Sequence, residues 1–185
     1  MAALDPPPSH SAPDRVTVMQ GEARASAEPT VEFSTVLGSC VAMCLFDPSA
    51  RVGGMNHFLL AEPPTHRSRE QFDEHYGLFL MELLVNEMLA LGASKSRLKA
   101  RLYGGANIHR GLSPIGTANA DFARRFVVQE GIELTQADLG GNQARRVHFL
   151  PASGRVRCRL TAAQATPTQQ PLRRPQSALG DVELF

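Results

Sequence analysis

Cysteine is scarce in this chain: 185 residues hold three, Cys40, Cys44 and Cys158, at irregular spacing. That is too few for the disulfide framework of a small secreted domain. In a reducing compartment each thiol is then either a small apolar filler or a nucleophile. An excess of charge of either sign is missing too. The formal net charge is +1, with 19 Lys and Arg against 18 Asp and Glu, so no broad field draws the chain to nucleic acid or to an anionic membrane. No apolar run approaches the roughly 20 residues that span a bilayer. The opening MAALDPPPSHSAP lacks the charged and apolar regions of a signal peptide. These absences lead to the expectation of a cytoplasmic protein with no membrane insertion and no nucleic-acid partner.

What is present fits one domain with loose ends. Residues 1–14 carry four prolines and are expected to form a flexible tail. The ordered domain is expected over 15–161. Residues 162–185 read as a second polar, proline-rich tail, whose last segment DVELF is apolar enough to dock as a strand. Between the ends, RVTVMQ, VEFSTVL, VAMCLF, MNHFLL, LKARLY (98–103), IELTQADL (132–139), RRVHFL (145–150) and VRCRL (156–160) carry the pattern of strands. VAMCLF is apolar at every position, as expected of a strand covered on both faces. From Glu70 the apolar period becomes helical through Tyr76, Leu80, Leu83, Leu84, Met88 and Leu91, with Gly92 at the C-cap position. A second helix is expected from Thr117 as N-cap, through Phe122, Phe126 and Val127, to Gly131. The fold class is therefore α+β: a largely antiparallel or mixed β-sheet or sandwich core with two main helices packed outside.

The stretch STVLGSCVAMCLFDPSARVGGMNHF concentrates the chemistry. A turn centred on Pro48-Ser49 suits proline at its second position and Asp47 at its first. Continuing that register pairs Cys40 with His57 on one face, with Cβ atoms about 5 Å apart. A bulge at Gly53-Gly54 would shift His57 to the other face; those glycines equally suit close approach by another backbone. Gly38-Ser39 precede the cysteine, so a tight turn would present Cys40 at a strand start with backbone N–H groups free for a developing oxyanion. A histidine partner would hold the thiol partly as thiolate and could protonate a leaving amine. Together these features describe an acyl-transfer centre.

Other uses of the same residues fit less well. Cys40, Cys44 and His57 as zinc ligands lack a fourth Cys or a paired His nearby, so neither metal nor cofactor is expected. Cys44 reads as core and Cys158 as an inward strand residue. His66, His75, His109 and His148 read as surface or local structural residues. The YGGAN loop (103–107) is followed by no Gly-Lys-Ser/Thr and reads as a tight turn at a strand end.

VLGSCVAMCLFDP followed by GGMNHFLL closely resembles the chemoreceptor glutamine deamidase family, CheD. The likeness runs on through HYGLFLMELLVNEMLALGA, LYGGANI, IGTANADFARRF, DLGGNQARRVHF and GRVRCRL, about residues 15–160 in order. The resemblance implies hydrolysis of selected glutamine side chains on methyl-accepting chemotaxis receptors to glutamate, with release of ammonia. It implies Cys40 as nucleophile, His57 as base, and a hydroxyl residue just before the cysteine as third member. Ser34 shares strand parity with Cys40; Thr35 has the family's usual residue type. Both are candidates. A CheC-type phosphatase is an implied second partner. A non-catalytic adaptor and a related cysteine hydrolase acting on receptor methyl esters are the alternatives.

Overall fold

A computed structural model describes residues 12–60, 75–108 and 114–161. The first tail, apart from its last three residues, and all of the expected C-terminal return strand lie outside these residues. So do His66, His109 and residues 61–74.

Among the described residues nine strands form two sheets. β1 (Asp14–Thr17), β3 (Val31–Leu37), β8 (Ala144–Leu150) and β9 (Arg155–Thr161) make a four-stranded sheet in the order β1-β3-β8-β9. β2 (Glu22–Ser26), β4 (Val41–Asp47), β5 (Val52–His57), β6 (Lys99–Gly104) and β7 (Glu133–Leu139) make a five-stranded sheet in the order β2-β5-β4-β6-β7. β1 with β3 and β6 with β7 run parallel; the remaining pairs are antiparallel. One apolar layer, including Phe33, Leu37, Ala42, Cys44, Met55, Val147 and Phe149, lies between the sheets. A second layer, including Val41, Met43, Leu45 and Phe58, is covered by α1 (His75–Ala90) and α2 (Ile115–Gln129). The α+β sandwich with two outer helices is thus what the chain builds. β4 is central and covered on both faces, which is why VAMCLF shows no alternation.

The details depart from expectation where local signals compete. EARAS forms β2 although its composition marks no strand; it is placed by pairing with β5. α1 buries Gly77, Leu80, Met81, Leu84, Val85 and Met88, while Tyr76 and Leu91 stay exposed. This helix is apolar nearly all round, so spacing alone does not pick the buried stripe. Gly77 decides it: a Cβ there would run into Leu60 and Phe122. α2 begins two residues before Thr117, whose hydroxyl instead accepts from Asn107 Nδ2 at 2.8 Å. Among the described residues no helix is long and apolar enough to cross a membrane.

The β4–β5 hairpin has a longer turn than expected. Asp47 pairs with Val52, not Ala50, so residues 48–51 form the connection and Arg51 takes a left-handed φ of 55°. Asp47 Oδ1 accepts from the N–H groups of Ser49 (2.9 Å) and Ala50 (3.1 Å), a side-chain-closed turn that Pro48-Ser49 alone does not reveal. The same carboxylate accepts from Ser94 N and from Arg97. No bulge occurs at the two glycines. A Cβ at Gly53 would strike Pro151, and one at Gly54 would strike Leu84, so each glycine admits a neighbour on one face of β5.

Candidate active site

Residues 38–40 carry the chain from β3 in one sheet to β4 in the other. All three carbonyls of this link are bound from behind: Gly38 O by Ala106 N (2.9 Å), Ser39 O by Asn119 Nδ2 (2.8 Å) and Cys40 O by Gly105 N (2.8 Å). A trans peptide points its C=O and the following N–H in opposite directions. Pinning the carbonyls of Gly38 and Ser39 therefore turns the N–H groups of Ser39 and Cys40 away from the core. A Cβ at Gly104, whose φ is 110°, would strike the Cys40 carbonyl, so only glycine allows this close approach. Behind it, Gly140 N donates to Gly104 O and Asn107 N to Gly141 O, both at 2.9 Å. The YGGAN turn is thus the buttress of the cysteine link.

His57 ends β5 and is buried. Its Nδ1 lies 2.9 Å from Thr35 Oγ1 and 3.2 Å from the Val18 carbonyl, and the Thr35 hydroxyl donates to that same carbonyl at 2.9 Å. A carbonyl only accepts, and the Thr35 proton is already committed to it, so Nδ1 must carry the imidazole proton. Nε2 is left with its lone pair. It is buried and has no hydrogen-bond partner among the described residues.

Burial lowers the His57 pKa below the ordinary imidazole value, with the Val18 carbonyl pulling weakly the other way. Burial also pushes the Cys40 thiol up to about 11, against a smaller pull from its own backbone N–H. Near pH 7 the resting pair is therefore neutral thiol and neutral imidazole. The half-buried sulfur thus holds its proton more tightly than a thiol in water. The thiol donates to Gln20 Oε1 at 3.5 Å.

Cys40 and His57 do not pair directly. Val41 pairs with Phe58, exchanging both backbone hydrogen bonds, and the register is two residues from the expected one. A shift of two preserves the face. Cys40 and His57 thus lie diagonally, on the face opposite Val41 and Phe58; diagonal neighbours are about 7–8 Å apart at the backbone, within reach of longer side chains. Between this bridge and Cys44–Met55 the ladder is interrupted, and the Asn56 side chain accepts Met43 N at 2.9 Å in its place. Of the two hydroxyl candidates, Thr35 reaches His57. Phe33, Thr35 and Leu37 alternate onto the inter-sheet face, whereas Ser34 lies on the other face of β3. Parity with Cys40 misleads because β3 and β4 belong to different sheets.

The family described as "CheD chemotactic sensory transduction" matches residues 59–160. A protein of Zymomonas mobilis subsp. mobilis, named a probable chemoreceptor glutamine deamidase CheD, is 51% identical over 175 residues, covering 92% of each chain. The chain belongs to the CheD family. Relatives carrying the same name in Caulobacter vibrioides (48% identical, 95% of this chain, 97% of the relative) and Cereibacter sphaeroides (44%, 100% and 92%) extend the match across the β3–β5 region. Among solved structures, the Bacillus licheniformis hypothetical protein YfiH aligns with a TM-score of 0.41 at 12% identity, over 63% of this chain and 49% of that one. No functional conclusion follows from that likeness.

Relative to this CheD-family site the remaining candidates disperse. Cys44 is buried between the sheets, and Cys158 bonds Asp138 Oδ2 at 3.6 Å on β7. His148 pairs with Glu32 at 2.8 Å. Among the described residues no group of three or more His, Cys, Asp or Glu is placed to hold a metal ion. Three contributors had no local signal. Val18 acts through a backbone carbonyl, Gln20 through a turn, and Asn119 through a buried amide that also accepts Leu60 N at 2.8 Å.

Proposed function

We propose that this protein is a chemoreceptor glutamine deamidase, hydrolysing glutamine side chains of methyl-accepting receptors to glutamate with release of ammonia, in the cytoplasm. The observation that carries the mechanism is the fixed tautomer of His57, whose buried Nε2 offers a lone pair on the face shared with Cys40. Membership of the CheD family supports the substrate class.

The chemistry follows from the neutral pair. His57 Nε2 takes the thiol proton as Cys40 Sγ bonds to the carboxamide carbon, so charge develops only as it is used. The negative charge on the carboxamide oxygen falls beside the Cys40 and Ser39 N–H groups, which are already oriented by their pinned peptides. His57 then returns the proton to the nitrogen, the C–N bond breaks, and ammonia leaves a thioester on Cys40. Water, deprotonated by His57, attacks that thioester, giving glutamate and the free thiol. Thr35 and Val18 O hold the ring and stabilise its protonated form. No step calls for a metal or organic cofactor.

The test is intact-mass analysis of a purified receptor cytoplasmic domain after incubation with the protein and, separately, with Cys40→Ala. A gain of about one dalton per modified glutamine, absent with the variant, is the expected result. Receptor binding by both forms without a mass change would replace the reading with a non-catalytic adaptor, and loss of methyl groups would redirect it to ester hydrolysis. The family relationship also puts forward a CheC-type phosphatase as a second partner, which co-elution of the two purified proteins would test.

A further inference from the structure

The carboxamide beside the nucleophile belongs to the protein itself. Gln20 is the first corner residue of a four-residue turn between β1 and β2, closed by Glu22 N donating to Met19 O at 3.0 Å. Gly21 follows with a φ of 89°, the positive value that the second corner of a type II turn requires. Met19 N donates to Glu22 Oε2 at 3.1 Å, and Gly21 N to His57 O at 2.8 Å. The turn is thus fastened to the backbone of the histidine it faces, and Val18, one residue before it, supplies the carbonyl that orients the imidazole. This framework brings Gln20 Oε1 to 3.5 Å from Cys40 Sγ.

Resting on the glutamine deamidase reading, we propose that Gln20 is an intramolecular substrate: Cys40 converts it to glutamate within the same chain. The carboxamide carbon is one C=O bond, about 1.2 Å, from the oxygen that already touches the thiol. Rotation of the exposed Gln20 side chain therefore suffices to bring carbon and sulfur to a near-attack separation of about 3–3.5 Å. The turn's anchorage means that no encounter step is needed. Sγ adds to the Gln20 carbon while His57 Nε2 takes the thiol proton; the C–N bond breaks as that proton goes to the nitrogen, and ammonia leaves a thioester between residues 20 and 40. One water molecule then cleaves the C–S bond, giving the Gln20-derived carboxylate, the free thiol and a proton. The product places a carboxylate against the nucleophile, next to Glu22.

The chain supplies its own assay. Cleavage after Arg15 and Arg24 releases VTVMQGEAR, in which Gln20 is the only side-chain amide. The full-length protein, Cys40→Ala and Cys40→Ser are purified in parallel, their folds compared by circular dichroism, and the mass of this peptide measured after incubation. The expected result is a gain of about one dalton in the wild type that grows with time and is absent from both variants. Retention of the amide in the wild type, while the same preparation converts receptor glutamines, overturns self-deamidation and leaves the receptor activity standing. Retention with no receptor conversion overturns both. Equal conversion in the variants shows a spontaneous reaction and overturns the proposal. Conversion of isotopically labelled Cys40→Ala chains mixed with wild type shows reaction between chains and overturns the intramolecular assignment.

Discussion

Thr35 Oγ1 and His57 Nδ1 meet at 2.9 Å across the two sheets of the sandwich, the hydroxyl from the four-stranded sheet and the imidazole from the five-stranded one. The contact ties the layers together at the point where the chain crosses between them. It also fixes which ring nitrogen is basic, because the shared Val18 carbonyl leaves both groups as donors toward it. Replacing Thr35 with Val keeps the shape but removes one of the two acceptors of Nδ1–H, leaving only the Val18 carbonyl. The expected effect is a fall in kcat of about 10²-fold with little change in KM. Thr35→Ser should restore most of the rate, while Ser34→Ala should leave it near wild type. A rate equally low for Thr35→Ser would reduce Thr35 to a packing role.

The pH profile should be a wide plateau. Burial lowers His57, so the midpoint of its conversion to the reactive neutral form lies below the ordinary imidazole value. Cys40 holds its proton up to about 11, and only near there does the neutral pair give way to thiolate beside an imidazole that has no proton to give the leaving group. Activity is expected to rise on an acid limb below about pH 6.5 and stay level into strongly alkaline solution. Single-turnover rates measured with buffers matched in ionic strength test this. A maximum confined to pH 7–8 would mean that the resting site holds an ion pair.

Asn119 is fully buried and bonds the Ser39 carbonyl and the Leu60 N–H at 2.8 Å each. Asn119→Ala would leave both groups without their partner, at about 1–3 kcal/mol apiece. Thermal unfolding should shift down accordingly. Freed from Asn119, the Ser39 peptide can rotate, so kcat should fall further than substrate affinity, which kinetics at a temperature well below the variant's midpoint would separate. Full activity in the folded variant would show that the peptide orientation does not depend on this amide.

Acid stability should carry the signature of Asp47. Burial works against its ionisation, but Arg97 and the N–H groups of Ser94, Ala50 and Ser49 outweigh it and hold the carboxyl at about 2. A folded-state pKa below the unfolded one adds stability above the unfolded value, near 4, and that stability is lost as the pH falls toward 2. The contribution is about 2 kcal/mol. Asp47→Asn should lower stability by a similar amount at pH 7 and flatten its decline between pH 4 and 2, as read from denaturant midpoints. An unchanged slope would move the acid sensitivity to other carboxylates such as Glu32, which Arg15 and His148 also hold below its usual range against the cost of its burial.

Much of the site lay open in the sequence because its chemistry is local. Cys40 behind Gly38-Ser39, and His57 at the end of a glycine-broken apolar run, could be read as a pair before any register was known. The expected register was two residues out, since the Asp47 side chain closes a longer turn than Pro48-Ser49 implies. The side-chain period of a strand is two, so the face came out right although the pairing did not. The protonation state of the thiol is a different matter: a pKa depends on how much water surrounds the group, and no neighbour in sequence reports that.

The sequence by itself determined the α+β class and the two-sided cover of β4, and singled out Cys40 and His57 as candidates, because apolar period and residue chemistry act over a few neighbouring positions. Only the tertiary structure decided that Thr35 rather than Ser34 meets the imidazole, that Val18 fixes the tautomer, that Asn119 and the glycine turns pin the cysteine link, and that Gln20 lies against the sulfur. Each of those depends on a contact between segments distant in the chain or between the two sheets. Such contacts are set by how layers stack and where loops close, a property of the packed whole that no run of residues encodes alone.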